Sequence, residues 1–293
     1  MKIILFSRPK GFCHSHDDIV EIFAAIERHG FDYVLNEEFA DVASAALGRT
    51  IPPQKLYADT IGEQPEGSVM VCYGGDGTLL DGVHRLGGCD VPVVGINSGH
   101  LGFLSLAQRD EIAEVFDGIA AGTLRFEPRA MLCAEGVFNG RKQCIYALNE
   151  VSVQRLGATM IAVETAIDGE YTSTCEGDGV IIATPTGSTA YSLSAGGPIV
   201  SPSCRCIVLT PLSPHNLTMR PIVMGEQSHI ELSIRTRQNV ASISADNRTF
   251  EVCDGAKISI KTADRYISLA VPHNISFYDT LRNKMMWGVD IRQ

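Results

Sequence analysis

Apolar and polar positions in the first part of the chain follow two alternating periods. Short apolar runs predict strands, and apolar residues spaced three to four apart predict helices. The predicted strands are 3–7, 33–36, 69–73 and 91–97, and the predicted helices are 17–29, 78–86 and 110–121. Alternating strands and helices are typical of an α/β domain with a parallel, doubly wound sheet. Residues 1–124 are predicted to form such a domain, with ligands beyond the carboxyl ends of its strands.

From about residue 125 the pattern changes to short runs, many of them alternating or β-branched. Asn139-Gly140 and Asp168-Gly169 are hairpin signals between such runs. The predicted strands are 130–137, 145–154, 161–167, 180–183, 207–210, 229–234, 241–244, 257–261 and 266–270. Residues 125–275 are therefore predicted to be a second, largely β domain. The tail 276–293 has helical spacing at Phe277, Leu281 and Met285, and this helix is expected to pack back on the first domain.

Composition narrows the class of protein. The chain has 293 residues, a formal net charge of −10, a pI near 5.3 and 45% hydrophobic residues. These values are typical of a globular protein of two domains, and the acidic balance argues against nucleic acid as a partner. No run approaches the ~18 apolar residues of a membrane span, and the apolar N-terminus is too short for a signal peptide. A cytoplasmic protein without a membrane partner is expected.

The nine cysteines are scattered and form no CxxC pair. Several lie inside apolar runs, so reduced, mostly buried thiols are expected rather than a disulfide framework. Cys204 and Cys206 have no second cluster with which to complete a metal site.

The segment "VCYGGDGTLLDG", residues 71–82, places a carboxylate inside a glycine turn. A buried strand, the turn and a helix that Thr78 can cap would bind phosphate through free N–H groups and the helix dipole. Asp76 conflicts with that anion unless it holds Mg²⁺ or faces an incoming hydroxyl as a base. Both arrangements indicate phosphoryl transfer. In the alternative, Asp76 only caps the helix.

Two further segments carry polar groups next to apolar strands. "TPTGSTAYSLSAGGP", residues 184–198, is dense in hydroxyl groups and amides that can bind a nucleotide, and Tyr191 can stack on a base. The alternative is a hydroxyl-rich surface loop. Asn149-Glu150 interrupts the apolar stretch 145–153, and a ribose diol is a good partner for a carboxylate there. Asp178, between two glycines, is a similar candidate, and a solvated strand edge is the alternative for Asn149-Glu150.

Together these segments resemble the NAD kinase family in order and spacing. The segments that carry the resemblance are "GGDGTLL" (74–80), "GINSGHLGFL" (95–104), "NE" (149–150), "GDG" (177–179), "TPTGSTAYSLSAGGPI" (184–199) and "PLSPHNLTMRPIV" (211–223). "GGDG" alone is shared with diacylglycerol kinases and 6-phosphofructokinases, so the threonine-rich block is the specific signal.

The resemblance implies an α/β first domain, a β-sandwich-like second domain and transfer of phosphate from ATP to the 2′-hydroxyl of the adenosine ribose of NAD. It implies Mg²⁺, held mainly by the ATP phosphates, and a homo-oligomer (dimer or tetramer) whose neighbouring subunit completes the site. Asp76 would be the catalytic base. The implied NAD-binding residues are Asp76, Gly77, Asn149, Glu150, Asp178, Thr189, Ala190, Tyr191, Ser192, Leu193, Ser194 and Arg248. The implied phosphate- or ATP-binding residues are Gly74, Gly75, Gly77 and Thr78.

Some positions depart from the common pattern of the family. Glu176 stands where a basic residue is frequent, and Arg248 could supply the missing positive charge. Asn247 replaces a glycine or serine, while Ser98 and His100 replace a threonine and an arginine; His100 is expected to be structural. Two other functions stay open from the residues: a lipid or sugar kinase of the same superfamily, and a nucleotide sensor without catalysis.

Overall fold

The computed structural model describes residues 1–9, 14–99, 102–271 and 275–288, and it divides the chain into two compact units. Unit 1 comprises residues 1–128 and 267–293, and unit 2 comprises residues 129–266. The sequence-based boundaries, 124 and 275, differ from these. Of the helices in the described ranges, none combines the length and apolarity needed to span a bilayer.

Unit 1 contains a parallel sheet flanked by helices. Its strands are β1 (Lys2–Phe6), β2 (Asp32–Asn36), β3 (Leu56–Tyr57), β4 (Val69–Tyr73) and β5 (Val93–Ile96). Its helices are α1 (His16–Arg28), α2 (Ala40–Leu47), α3 (Asp76–Arg85), α4 (Ile112–Ala121) and α5 (Phe277–Met285). The strands lie in the order β3-β2-β1-β4-β5, all parallel. The order reverses between β1 and β4, the point where α/β sheets bind ligands.

The hydrophobic periods explain these elements. All five residues of β4 are buried, as expected for a strand covered on both faces. Helix α1 buries Ile19, Ile22, Phe23 and Ile26, which share one face, and Ser15 caps it by accepting from the amide of Asp18. Helix α2 was not predicted; it begins directly after a short 3₁₀ turn, so it offers only eight residues of helical pattern.

Unit 2 is built from two antiparallel sheets. The strands that form them are β6 (Arg125–Phe138), β7 (Arg141–Ala147), β8 (Glu150–Arg155), β9 (Ile161–Ile167), β10 (Glu170–Gly177), β11 (Gly179–Ala183), β12 (Cys206–Leu212), β13 (Ile222–Gly225), β14 (Ile230–Thr236), β15 (Val240–Ala245), β16 (Arg248–Cys253) and β17 (Lys257–Val271). The first residues of β6 and the last residues of β17 belong to unit 1. One sheet has the order β13-β12-β11-β8-β15-β16, and in the other β10, β9, β14 and β17 are neighbours. Residues from both sheets share one hydrophobic cluster, so the unit is a sandwich.

The hairpin predictions are confirmed. Asn139 and Asp168 have φ of 50° and 54°, each followed by a glycine with positive φ. The predicted strand 145–154 is wrong as a single strand: β7 ends at Ala147 and pairs with β6, whereas β8 begins at Glu150 and pairs with β11 and β15 in the other sheet. The predicted strands 257–261 and 266–270 are one strand, β17, whose Leu269 lies opposite Val93 in unit 1.

The expectation of reduced thiols is wrong for one pair of cysteines. Cys133 and Cys144 form a disulfide between β6 and β7. Cys144 lies opposite Glu135 in the register, so it is diagonal to Cys133 on the same face of the hairpin. Their Cα atoms are 6.4 Å apart, within the range that a disulfide spans. Six other cysteines are free, and Cys13 lies outside the described residues.

Candidate active site

The glycine turn connects β4 to α3 and places Asp76 at the first position of that helix. Gly74 has φ of +151°, and a Cβ there would lie 2.4 Å from Thr78 Oγ1, so only glycine fits. Gly75 is the N-cap residue. The prediction that Thr78 caps the helix is wrong: Thr78 lies in the first turn, fully buried. The N-terminus of α3 lies at this turn, and the N-terminus of a helix favours a bound anion.

The carboxylate of Asp76 is held by a second loop of unit 1. The amide of Phe103 donates to Oδ2 at 2.8 Å, and those of Leu104 and Ser105 donate to Oδ1 at 3.0 Å each. Gly102 lies so close that a Cβ would be 1.8 Å from Oδ1. The side chain stays 27% exposed. The loop therefore fixes the orientation of the carboxylate and leaves part of it open to solvent.

Two cations lie beside the turn, and neither was predicted. Arg8, which follows β1, lies beside Gly77, where a Cβ would be 3.2 Å from its Nη1 atom, and it forms an ion pair with Asp81 of α3. The Nζ atom of Lys284, on α5, lies 3.6 Å from Asp76 Oδ2. Neither Arg8 nor Lys284 lies in a recognisable sequence motif. Their positions beside the glycine turn follow only from the strand order and from the packing of α5.

In unit 2, Asn149 and Glu150 lie at the point where the chain leaves one sheet for the other. The carboxylate of Asp246 accepts hydrogen bonds from the amides of Leu148, Asn149 and Glu150 at 2.7, 2.8 and 3.2 Å. Asp246 is itself a turn residue, with φ of 51°. Oδ1 of Asn149 and Oε2 of Glu150 are buried and have no hydrogen-bond partner in the structure. Both atoms are available to a bound polar group.

Burial shifts both carboxyl groups of this turn toward their neutral forms. Burial, followed by the nearby charge of Asp246, raises the pKa of Glu150 to about 8. Burial also raises the pKa of Asp246 to about 6, although the three amides and Arg248 oppose the shift. Burial thus shifts Glu150 toward its protonated form near neutral pH, and a protonated carboxyl group can both donate and accept a hydrogen bond.

The hydroxyl-rich loop packs directly on this turn. The hydroxyl of Thr184 donates to the carbonyl of Leu148 at 2.7 Å, and the amide of Thr184 donates to the carbonyl of Asn149 at 2.9 Å. A Cβ on Gly187 would lie 2.1 Å from the carbonyl oxygen of Asn149. A 3₁₀ turn, Thr186–Thr189, and a short helix, Tyr191–Ser194, follow. The main-chain amide of Tyr191 lies close enough to the Glu150 carboxyl group to oppose the rise in its pKa.

The structure separates the predicted residues of this loop by exposure. Tyr191 is 39% exposed, and Ser194 is also exposed. Thr189, Ala190 and Leu193 are half-buried. Ser192 is fully buried and shares a hydrogen bond with Thr210 at 2.9 Å, so its hydroxyl holds the loop to β12.

Asp178 and Arg248 complete the predicted set in unit 2. Asp178 is paired with Arg155, and its side chain is 43% exposed. The guanidinium of Arg248 donates to the carbonyl of Tyr146 at 2.6 Å. His100 lies outside the described residues. Sequence reasoning missed Asp246, whose only local signal is its place in a hairpin turn.

The fold, the glycine turn with Asp76 in unit 1 and the turn with Asn149 and Glu150 in unit 2 are those of a kinase that acts on a nucleotide. The family model of the ATP-NAD kinase N-terminal domain matches residues 29–124, and that of the ATP-NAD kinase C-terminal domain matches residues 148–271. The chain belongs to the NAD kinase family. The predicted family and fold class are thereby confirmed.

Relatives from several bacteria are similar over almost the whole chain. The NAD kinase of Bacteroides fragilis is 35% identical over 272 residues, which cover 92% of this chain and 93% of the relative. The NAD kinase of Cytophaga hutchinsonii is 39% identical, with 91% of each chain covered.

Two solved structures have the same fold. The crystal structure of yeast NADH kinase complexed with NADH has a TM-score of 0.87 at 26% identity, covering 99% of this chain and 89% of that chain. An NAD kinase from Archaeoglobus fulgidus in complex with ATP has a TM-score of 0.72 at 24% identity, with 98% of each chain covered, and it supports the fold alone.

Proposed function

We propose that this protein phosphorylates the 2′-hydroxyl of the adenosine ribose of NAD, using ATP and releasing NADP and ADP. The observation that carries the proposal is Asp76: a partly exposed carboxylate, oriented by three amides, at the start of a helix entered through a glycine turn. Membership of the NAD kinase family supplies the donor and the acceptor class, and yeast NADH kinase, a structural relative, is complexed with NADH.

In the proposed reaction Asp76 accepts the proton of the 2′-hydroxyl as its oxygen attacks the terminal phosphorus of ATP. The new oxygen–phosphorus bond forms while the bond to the bridging oxygen of ADP breaks. Gly74, Gly75, Gly77 and Thr78, at the turn and the helix N-terminus, would lie against the ATP phosphates, although the amides of Gly74 and Thr78 already donate to the carbonyls of Ile96 and Gly75. The amides of residues 103–105 fix the orientation of the Asp76 carboxylate, so this side chain needs little reorganisation before it accepts the proton.

Unit 2 would bind the dinucleotide. The buried free oxygens of Asn149 and Glu150 suit ribose hydroxyls and the adenine edge, because a protonated Glu150 can donate as well as accept. Tyr191 would stack on a base, and Thr189, Ala190, Leu193 and Ser194 would line the adenine and nicotinamide ends. Ser192 would hold the hydroxyl-rich loop in place through its hydrogen bond with Thr210. Arg248 would supply positive charge beside the turn at Asn149-Glu150.

Mg²⁺ is proposed to come with ATP rather than to reside in the protein. Among the described residues, the one group of clustered potential metal ligands is Cys133, Glu135 and Cys144, and it does not suit Mg²⁺ because its two sulfurs are joined in a disulfide. Both oxygens of Asp76 already accept amides. The ion would be held by the ATP phosphates, where it neutralises charge during transfer.

We also propose a cytoplasmic location and a homo-oligomer, a dimer or a tetramer, in which Asp178 meets the NAD of a neighbouring subunit.

The test is the Asp76→Asn variant, assayed for NADP formation with Mg-ATP and for NAD binding by calorimetry. Loss of a general base costs ~10²–10⁴-fold, so kcat should fall by that factor while NAD still binds. Asp117→Asn, a surface carboxylate of the same unit, is the matched control. Near-normal NADP production by Asp76→Asn would refute the role of Asp76. Parallel assays with diacylglycerol and fructose 6-phosphate as acceptors, and polyphosphate as donor, test the substrate assignment.

A further inference from the structure

The C-terminal helix α5 brings a lysine to the candidate catalytic carboxylate. The helix begins with a capping box between Ser276 and Asp279, and it buries Thr280 and Leu281. The ring of Phe277 lies 6.4 Å from the ring of Phe103, which belongs to the loop that holds Asp76. The helix is therefore anchored at its first turn, close to that loop.

Lys284, in the last turn of α5, has two partners in the same place. Its Nζ atom lies 3.6 Å from Asp76 Oδ2 and 4.8 Å from the centre of the Phe103 ring. The ion pair is longer than a hydrogen bond, and the lysine side chain is 36% exposed. The ammonium group is thus attracted to the carboxylate without being locked to it.

The charges around Asp76 need such a cation during phosphoryl transfer. In the free protein, three main-chain amides donate hydrogen bonds to the Asp76 carboxylate and stabilise its charge. When ATP binds at the glycine turn, several negative phosphate oxygens come close to Asp76, and the repulsion must be offset. A lysine is suited to this task because its ammonium is a compact charge on a flexible stem with three donors.

We propose that Lys284 is a phosphate-binding residue of the active site, which pairs with Asp76 in the free protein and moves to the terminal phosphate of ATP when the nucleotide binds. The inference deepens the proposed function and rests on it. In this proposal α5 does more than pack on unit 1. Its Lys284 supplies a positive charge that offsets the repulsion between the Asp76 carboxylate and the ATP phosphates.

The experiment compares Lys284→Met, Lys284→Arg and, as control, Arg282→Met with the wild-type chain. Arg282 lies on the same helix but pairs with Asp279 of its own first turn. Steady-state kinetics would give kcat and KM for ATP and for NAD separately. Calorimetry with ATP in the absence of NAD would measure nucleotide binding without transfer to an acceptor, and thermal unfolding would report folding.

For Lys284→Met we expect KM for ATP to rise at least ~10-fold, kcat to fall and ATP binding to weaken, with KM for NAD within about twofold of wild type. Lys284→Arg should recover part of the loss, since it restores the charge. Arg282→Met should match wild type. An unchanged KM for ATP with unchanged ATP affinity would overturn the proposal. A rise in kcat, which would make Lys284 an inhibitory contact, or a fall in melting temperature as the sole effect would also overturn it.

The same experiment distinguishes failure of the inference from failure of the proposed function. If the wild-type chain forms no NADP from NAD and Mg-ATP, the proposed function fails. Binding of ATP to the wild-type chain and to Lys284→Met then still decides the role of Lys284. If the wild-type chain is active and Lys284→Met behaves like it, the inference alone fails.

Discussion

Gly102 provides a sharp test of how Asp76 is held. A Cβ at this position would lie 1.8 Å from Asp76 Oδ1 and 2.6 Å from its Cγ, whereas ordinary contacts begin at 3.4 Å. In Gly102→Ala the loop or the carboxylate must therefore move by roughly 1.6 Å, the difference between those contacts. A movement of that size breaks hydrogen bonds that now measure 2.8 and 3.0 Å.

The magnitude follows from the groups that lose their partners. Hydrogen bonds to a charged group contribute ~1.5–3 kcal/mol each, and three of them converge on Asp76. Because the side chain is 27% exposed, water replaces part of this interaction. We expect a net loss of about 2–4 kcal/mol in the free energy of unfolding, which corresponds to a decrease of ~3–7 °C in melting temperature for a chain of this length. We also expect kcat for NADP formation to fall at least ~10-fold, because the Asp76 carboxylate loses the orientation that proton transfer requires.

The assay combines thermal unfolding with steady-state kinetics, and the chain supplies its own control. Gly99 precedes the same loop, and a Cβ there would meet nothing within 4 Å. Gly99→Ala should therefore unfold and react like the wild-type chain. If Gly102→Ala also melts within about 1 °C of wild type and keeps its kcat, the loop does not hold Asp76 in the way described.

Two further predictions concern the turn at Asn149-Glu150. The pKa of Glu150 is about 8 in the folded chain against 4.5 in its unperturbed state, so the folded state binds a proton that the unfolded chain releases. The free energy of unfolding should accordingly fall as pH rises from about 4.5 to 8. Glu150→Gln should match wild type in urea denaturation at pH 4.5 and exceed it by ~2–4 kcal/mol at pH 8.5; equal midpoints at both pH values would contradict the buried carboxyl. Gly187→Ala places a Cβ 2.1 Å from the carbonyl oxygen of Asn149 and should weaken NAD binding at least ~10-fold in calorimetry. Gly225→Ala, which meets nothing within 4 Å, is its control, and unchanged NAD affinity in Gly187→Ala would show that the loop tolerates the shift.

The sequence determined the elements whose pattern is local. Apolar runs and helical spacing identify β4 and α3, and Asn139-Gly140 identifies a hairpin, because side-chain period and turn chemistry are properties of a few adjacent residues. The glycine turn around Asp76 and the block 184–199 were recognisable for the same reason. Their order along the chain was enough to indicate the family.

Tertiary structure decided which distant residues hold these segments in place. Asp246 binds the amides of a turn almost a hundred residues earlier, and Lys284 reaches Asp76 from the last helix. The stretch 145–154 reads as one strand, but packing divides it between two sheets at Leu148 and Asn149. Cys133 and Cys144 meet because the register of β6 and β7 places them on one face. Such contacts depend on strand register and chain crossing, which a local pattern does not encode, because they form only when the whole core closes.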